Sequence, residues 1–335
     1  MLLVYINLRC DIMATRITYL FLIYKNPAIV LHTCQRLEGE GVSFYVHVDA
    51  NSNIDFSALT EIPNLSFSDK RFTTEWGSSG LVHATAYCLR RISENIDTDY
   101  VILMSESDYP VKTPEAIASY LERKNMDFAT ATPLPCEHPL QNKTCYWLEG
   151  GMRRVKAYPL RFGKKEIASI EPRIINWGNI RQFGKLLIKS PAKLPKAIQM
   201  FWLPKRRPFE NMPWCGGDQW FILRKSTVDK IVKRINEDNR IMEESENTIV
   251  PDEIIFATLI NALSPVGQRK NETLRYVHWS SPKAKSPSLI TTSDFKVLDT
   301  QIENPDILFV RKIEDPLVIE YIDSKLQTNT CEGEL

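Results

Sequence analysis

The apolar positions of this chain come in short runs, most of them followed by a stretch of helical spacing. Residues 16–24, rich in Ile, Leu, Phe and Tyr, read as a first strand. Asn26 and Pro27 open a helix to about residue 37, with Pro27 early in its first turn, and Gly39 and Gly41 end it. Residues 42–48 form a second strand and 62–67 a weaker third. A loop over 71–80 carries Trp76-Gly77, and 81–92 is a helix. The run 100–104 is long enough for one buried strand and too short for a helix. It stops at Ser105-Glu106-Ser107-Asp108. Thr113-Pro114-Glu115 caps the next helix, and 127–130 is a further short strand. This alternation means an α/β fold with a mostly parallel sheet and helices on its faces. In such a sheet ligands bind at the carboxyl ends of the strands, so Asp108 stands where a ligand would sit.

The second half is less regular. Residues 215–223 read as one Gly-led strand, and Ser226-Thr227-Val228-Asp229 as the capping box of a helix to about 234. Residues 237–247 are acidic and polar, a loop or a frayed helix. Val250-Pro251-Asp252-Glu253 opens a helix over 254–263. A short strand at 276–279, a basic loop with Lys283 and Lys285, a helix capped by Thr292 and a last strand at 308–313 follow. The polar tail from 323 is expected to be disordered. Met13 is the expected start, because the first convincing strand begins just after it.

Between residues 152 and 208 the pattern changes in kind. Fifteen Lys and Arg face only Glu166 and Glu171, with aromatics interleaved. A solvated, variable insertion is the favoured reading. The other is a face that approaches anionic membrane lipid or a phosphorylated lipid carrier.

Bulk properties narrow the function. The 335 residues carry a net charge of +1, with no global polyanion-binding signature. No apolar run is long enough to span a bilayer. Seven cysteines, an odd number without a C-x-x-C pair, argue against a disulfide framework and a structural zinc, and point to a reducing, cytoplasmic setting, with peripheral contact at the inner face of the plasma membrane allowed. There is no G-x-G-x-x-G after the first strand, no P-loop, no H-E-x-x-H and no G-x-S-x-G.

Few residues are left to carry chemistry. Glu253 falls in the first turn of a helix, where the dipole favours an ionised carboxylate and hence a general base. An acid there merely stabilising its helix is the simpler reading of the triplet alone. Lys285, Arg311 and Lys312 are cations able to hold a diphosphate, or simply a solvated loop and a strand end. Asp97-Thr98-Asp99 has the D-x-D form of a metal site, but precedes its strand and so sits at the wrong end of the sheet. Asp108 has no second Asp at that spacing, and hard cations want several oxygens. A metal-free site with cationic side chains is therefore expected. His47 is expected to be structural. Trp76, Trp220 and Trp279 offer flat faces to sugar rings, or are core.

The series His47-Val48-Asp49, Arg71 with Trp76-Gly77, Ser107-Asp108-Tyr109-Pro110, Gly217-Asp218-Gln219-Trp220-Phe221, Pro251-Asp252-Glu253 and Leu308-Phe309 with Lys312 resembles the core-2/I-branching β-1,6-N-acetylglucosaminyltransferase family, which includes the peptide xylosyltransferases. The match runs over about 16–313 in order, weakest across 137–213, and looks like a bacterial-type member. The resemblance implies a GT-A-like, Rossmann-like fold, a UDP-sugar donor (UDP-GlcNAc or UDP-xylose), inversion, no metal and a glycan or lipid-linked glycan acceptor, as in building a surface polysaccharide.

By position, Glu253 matches the catalytic base, and Lys285 and Lys312 the two basic residues at the diphosphate; Arg311 joins them on its own chemistry. Leu22, Ile23, Tyr24, Asp49 and Asn51 match the nucleotide-binding segments, Trp76 and Asp108 further donor positions, and Asp218, Trp220 and Trp279 are acceptor candidates. Lys285 stands where the animal enzymes have arginine, which keeps charge but loses the bidentate fork. The expected layout is an extension over 1–15, one domain over 16–322 (a nucleotide-sugar half to 130, an insertion over 137–213, a catalytic half from 214) and the tail. Two other readings are a non-catalytic nucleotide-sugar or glycan-binding protein on the same fold and a metal-dependent transferase using Asp108.

Overall fold

The computed structural model describes residues 15–136, 147–162, 165–281, 284 and 286–332. The first half runs β1 (Ile17–Ile23), α1 (Pro27–Leu37), β2 (Val42–Val48), β3 (Leu65–Phe67), α2 (Ser79–Asn95), β4 (Tyr100–Ser105), β5 (Asp108–Pro110), α3 (Pro114–Lys124), β6 (Asp127–Ala129) and β7 (Thr132–Pro133). The middle holds α4 (Met152–Lys156), β8 (Tyr158–Phe162), β9 (Lys165–Ile170), α5 (Trp177–Lys189) and α6 (Leu194–Trp202). Then come β10 (Cys215–Gly216), β11 (Phe221–Arg224), α7 (Lys225–Glu237), α8 (Arg240–Asn247), α9 (Ile255–Leu263) and β12 (Arg269–Lys270). The chain closes with β13 (Arg275–Val277), α10 (Phe295–Glu303), β14 (Phe309–Arg311) and α11 (Pro316–Glu332).

Seven strands form the central sheet, in the order β12-β6-β11-β4-β1-β2-β3. All are parallel except β11, which opposes both β4 and β6. Strand β1 is buried along its whole length, because its sequence is apolar on both faces. Leu20 and Leu22 point into a core shared with α2, α7 and α9. Ile17, Tyr19, Phe21 and Ile23 point into the opposite core, shared with α1 and α3. This is the α/β architecture the alternation predicts, in the GT-A-like form that the resemblance implies.

A second sheet, β13-β14-β5, lies past the end of β4. Its core is completed by α10 and α11. Here the tail differs from expectation: α11 runs to Glu332. Val318, Ile322 and Leu326 recur every fourth residue and are buried, a stripe hidden by the polar residues around it. The basic segment is also folded. Hairpin β8–β9 and helices α5 and α6 enclose a small core of Leu160, Ala168, Ile170, Leu186 and Ala197.

Other elements shift for local reasons. The expected strand at 215–223 is two, β10 and β11, divided where Gly217 passes Thr130: a Cβ there would lie 1.8 Å from the Thr130 carbonyl oxygen. No box forms at Ser226–Asp229, because the buried Arg224–Asp127 pair starts the helix earlier and Asp229 instead accepts from Lys225 and Ser93. The later box belongs to Thr291 with Asp294, not Thr292. Residues 240–247 are helical. Among the described residues no helix is long and apolar enough to cross a membrane.

Candidate active site

A cleft of about 610 Å³ opens at the carboxyl ends of β1, β2 and β4, within the usual range for small-molecule sites. Strand β1 is the point where the strand order turns, with β2 and β3 on one side and β4 on the other. Leu22 and Tyr24 form the floor at the end of β1. Ile23, expected beside them, faces the core beneath the sheet, because successive side chains in a strand alternate.

One wall is built by the segments after β2. The Asp49 carboxylate accepts from the Asn51 backbone N–H at 2.6 Å and from the backbone N–H and hydroxyl of Thr74 at 2.5 Å each. Burial pushes this carboxyl up, but those bonds more than offset it, so its pKa lies below the ordinary value. Asn51 and Trp76 also line the wall, and the Trp76 ring is 82% exposed at the rim. Arg71 holds the loop from behind, donating to the carbonyls of Val48, Asp49 and Ser52. His47 is structural: its Nε2 accepts the Phe72 N–H at 2.9 Å, and burial lowers its pKa to about 4.

The opposite wall is cationic. Strand β14 pairs antiparallel with β5 and sets Arg311 opposite Asp108 in register. The Arg311 guanidinium donates to Asp108 at 2.9 Å, and Arg275 from β13 donates to the other carboxylate oxygen at 3.3 Å. Ser105 also donates to Asp108, through its backbone N–H and its hydroxyl. Asp108 is 1% exposed. It therefore lies under the cleft rather than in it, a correction to its place as a donor contact. Two guanidinium groups, Arg275 and Arg311, on one carboxylate leave one positive charge in excess, and Arg311 itself lines the cleft beside Lys312. The indole of Trp220 lies 3.9 Å from the Arg311 guanidinium carbon, so this ring braces a cation and has that face covered. Lys25 also lines the cleft, paired at 2.6 Å with Glu314, which lines it too, so this pair adds no net charge.

Burial pushes the carboxyl of Glu106, also in the cleft, up to about 7. Neither Arg275, Lys25 nor Glu106 was singled out by the sequence. Lys25 had a usable signal, its place directly after β1. Arg275 had none, since its partners are distant in the chain.

Glu253 borders the cleft without lining it. It ends a short 3-10 turn, Pro251–Glu253, rather than standing inside the first turn of α9. Its carbonyl accepts the Gly217 N–H at 2.9 Å, two residues before the cleft-lining Gln219. Val250, just before the same turn, lies near Gly77: a Cβ at Gly77 would sit 3.5 Å from its Cγ2. The Glu253 carboxylate pairs with Arg154 at 2.5 Å, and Arg154 stacks on Trp147 at 3.9 Å. Asp252 beside it is buried, and burial and then Glu253 raise its carboxyl to about 7. Asp218 and Trp279 lie outside the lining; the Asp218 N–H is held by Thr130 Oγ1 at 2.5 Å. Lys285 and Lys283 lie outside the described residues. Asp97 and Asp99 pair with Arg16 at the far end of the sheet.

Xylosyltransferase oxt of Drosophila melanogaster is 35% identical over 291 residues, covering 81% of this chain and 28% of that protein. Xylosyltransferase sqv-6 of Caenorhabditis elegans is 35% identical over 75 residues, 20% of this chain and 9% of that protein. Xylosyltransferase 1 of Rattus norvegicus is 22% identical over 315 residues, 87% of this chain and 33% of that protein. The chain thus spans a third or less of the length of these relatives. The family model described as Core-2/I-Branching enzyme matches residues 17–138 and 189–299, which hold the central sheet, Asp49, Trp76, Asp108, Trp220 and Glu253. With most of its length matched, the chain belongs to the Core-2/I-Branching enzyme family.

Proposed function

We propose that the chain is a glycosyltransferase that moves a sugar, with inversion and without a metal ion, from a UDP-sugar to a glycan hydroxyl. The donor is UDP-xylose or UDP-N-acetylglucosamine, and the names of the relatives make UDP-xylose the first to test. The observation that carries this reading is the cationic wall of Arg311 and Lys312 over the Arg275–Asp108 pair, at the carboxyl end of the sheet. A diphosphate develops negative charge as its bond to the sugar breaks, and fixed cations there stabilise the leaving group. The carboxylate under the cleft is already shared by two arginines, which supports cations rather than a divalent ion as the stabiliser.

In the proposed reaction Glu253 takes the proton of the acceptor hydroxyl. The oxygen attacks the anomeric carbon from the face opposite UDP, and the electrons of the departing bond remain on UDP. The pair with Arg154 keeps the carboxylate oriented until the acceptor arrives. Trp76 at the rim supplies an apolar face for a sugar ring. Lys285 is the remaining candidate for the diphosphate, by its position in the sequence.

The test is transfer measured as UDP release with a glycan acceptor, in excess EDTA and with added Mn²⁺. Equal turnover is expected, and loss on chelation would overturn the metal-free reading. Glu253→Gln is expected to lower transfer by roughly 10²- to 10⁴-fold while UDP binds as before. Full turnover by that variant would remove Glu253 as the base. UDP-sugar binding with no transfer to any acceptor would favour a non-catalytic binding protein.

A further inference from the structure

The insertion carries a surface that the transfer reaction does not use. Fifteen large apolar side chains are exposed among the described residues, and eight of them fall between Ile175 and Leu203. Ile175, Trp177 and Ile188 are 86%, 81% and 84% exposed. Scattered exposed apolar residues are ordinary, but such a concentration marks an interaction surface.

Helix α5 explains how this arises. At about 100° per residue, Asn179 and Leu186 share the inner face, and both are buried. Leu187, Ile180, Trp177 and Ile188 occupy an arc of about 100° on the outer side, and all four are exposed. Arg181, Lys185 and Lys189 form the next arc. The apolar face is therefore much wider than the small core of Leu160, Ile170 and Leu186 requires. An apolar groove lined by Ile174, Ile180, Phe183, Ile198 and Phe201 continues the surface onto α6, where Trp202 is 67% exposed.

Charge selects the occupant. From Arg173 to Arg207 there are nine Lys and Arg and no Asp or Glu. A second copy seated on this face by two-fold symmetry would bring like charges together. An apolar stripe with Trp on it and Lys and Arg along its edge is the pattern of a helix lying in the interface of an anionic bilayer.

We propose that α5 and α6 dock this protein on membrane surfaces rich in anionic lipid, with Trp177, Ile188 and Trp202 entering the headgroup region and the flanking Lys and Arg contacting lipid phosphates. The proposal does not depend on which sugar is transferred, nor on transfer itself.

The test is co-sedimentation of the full chain with vesicles of phosphatidylcholine alone, or with roughly one third phosphatidylglycerol. Binding is expected only to the anionic vesicles, and its release by high salt is expected. Ile175→Ser, Trp177→Ser and Ile188→Ser together should lower the partition coefficient by roughly tenfold or more, with the unfolding midpoint and UDP affinity unchanged. Arg181→Gln with Lys189→Gln, which leaves the apolar stripe intact, should weaken binding to anionic vesicles as well. Failure to sediment with anionic vesicles, or a triple variant that binds as well as the parent, would overturn the proposal. So would a dimer in light scattering that the triple variant abolishes, since the surface would then be an interface between copies.

Discussion

Asp108 and Trp177 reverse the usual distribution of chemistry in a folded chain. A carboxylate is 1% exposed beneath the cleft, and an indole is 81% exposed on the insertion. The two regions reach these states by different means. Under the cleft, two strands distant in the chain bring Arg275 and Arg311 onto one carboxylate that the nearby Ser105 also bonds, so a buried charge is fully partnered. On the insertion, a hairpin and two helices enclose only a few small side chains and leave a wide apolar face uncovered. The first arrangement fixes geometry for a ligand that must be oriented to a fraction of an ångström. The second suits a fluid partner that needs area and charge but no register.

The comparison breaks most visibly at Asp108. Asp108→Ala removes the carboxylate that both buried guanidinium groups bond and is expected to cost about 3–5 kcal/mol of stability. Chemical denaturation measures it, and a cost below about 1 kcal/mol would show that the triad contributes little. A smaller effect is expected at Glu106. Its folded pKa, about 7, lies above the ordinary carboxyl value, so its contribution to stability is present at low pH and is lost as pH rises through 7. Glu106→Gln should therefore be the more stable protein above pH 7, by about 1–3 kcal/mol, with the difference vanishing below about pH 4.5. Unfolding midpoints of both proteins between pH 5 and 8 check this, and parallel curves would contradict it. The smallest effect belongs to the insertion. Ile188→Ser, at a site 84% exposed, should change stability by less than about 0.5 kcal/mol. A larger loss in thermal unfolding would mean that this face is covered within the chain.

The same contrast explains what could be read from the sequence. Strands β1 and β4 are legible as unbroken apolar runs because both faces are buried. Leu22, Tyr24, Asp49 and Trp76 are legible as one group only through the family resemblance, and the structure brings them to one cleft. Parity was not legible: with apolar residues on both faces of β1, nothing in the sequence separates Leu22, in the cleft, from Ile23, beneath the sheet. Arg275 and Arg154 escaped for another reason. An ion pair across 167 positions, like that of Arg275 with Asp108, leaves no local pattern. The tail was misjudged because Val318, Ile322 and Leu326 are diluted by Asp, Ser and Lys. The insertion's charge was plain, but only the folded helix shows that its apolar residues turn outward.

In the proposed reaction fixed cations of this chain, and no divalent ion, hold the diphosphate of a nucleotide sugar. Calorimetric titration of UDP in excess EDTA, into the parent and into Lys312→Ala, tests it most directly. Binding by the parent is expected, with affinity lower by roughly ten- to a hundredfold in the variant. No binding without a divalent ion, or equal affinity in the two proteins, would contradict it.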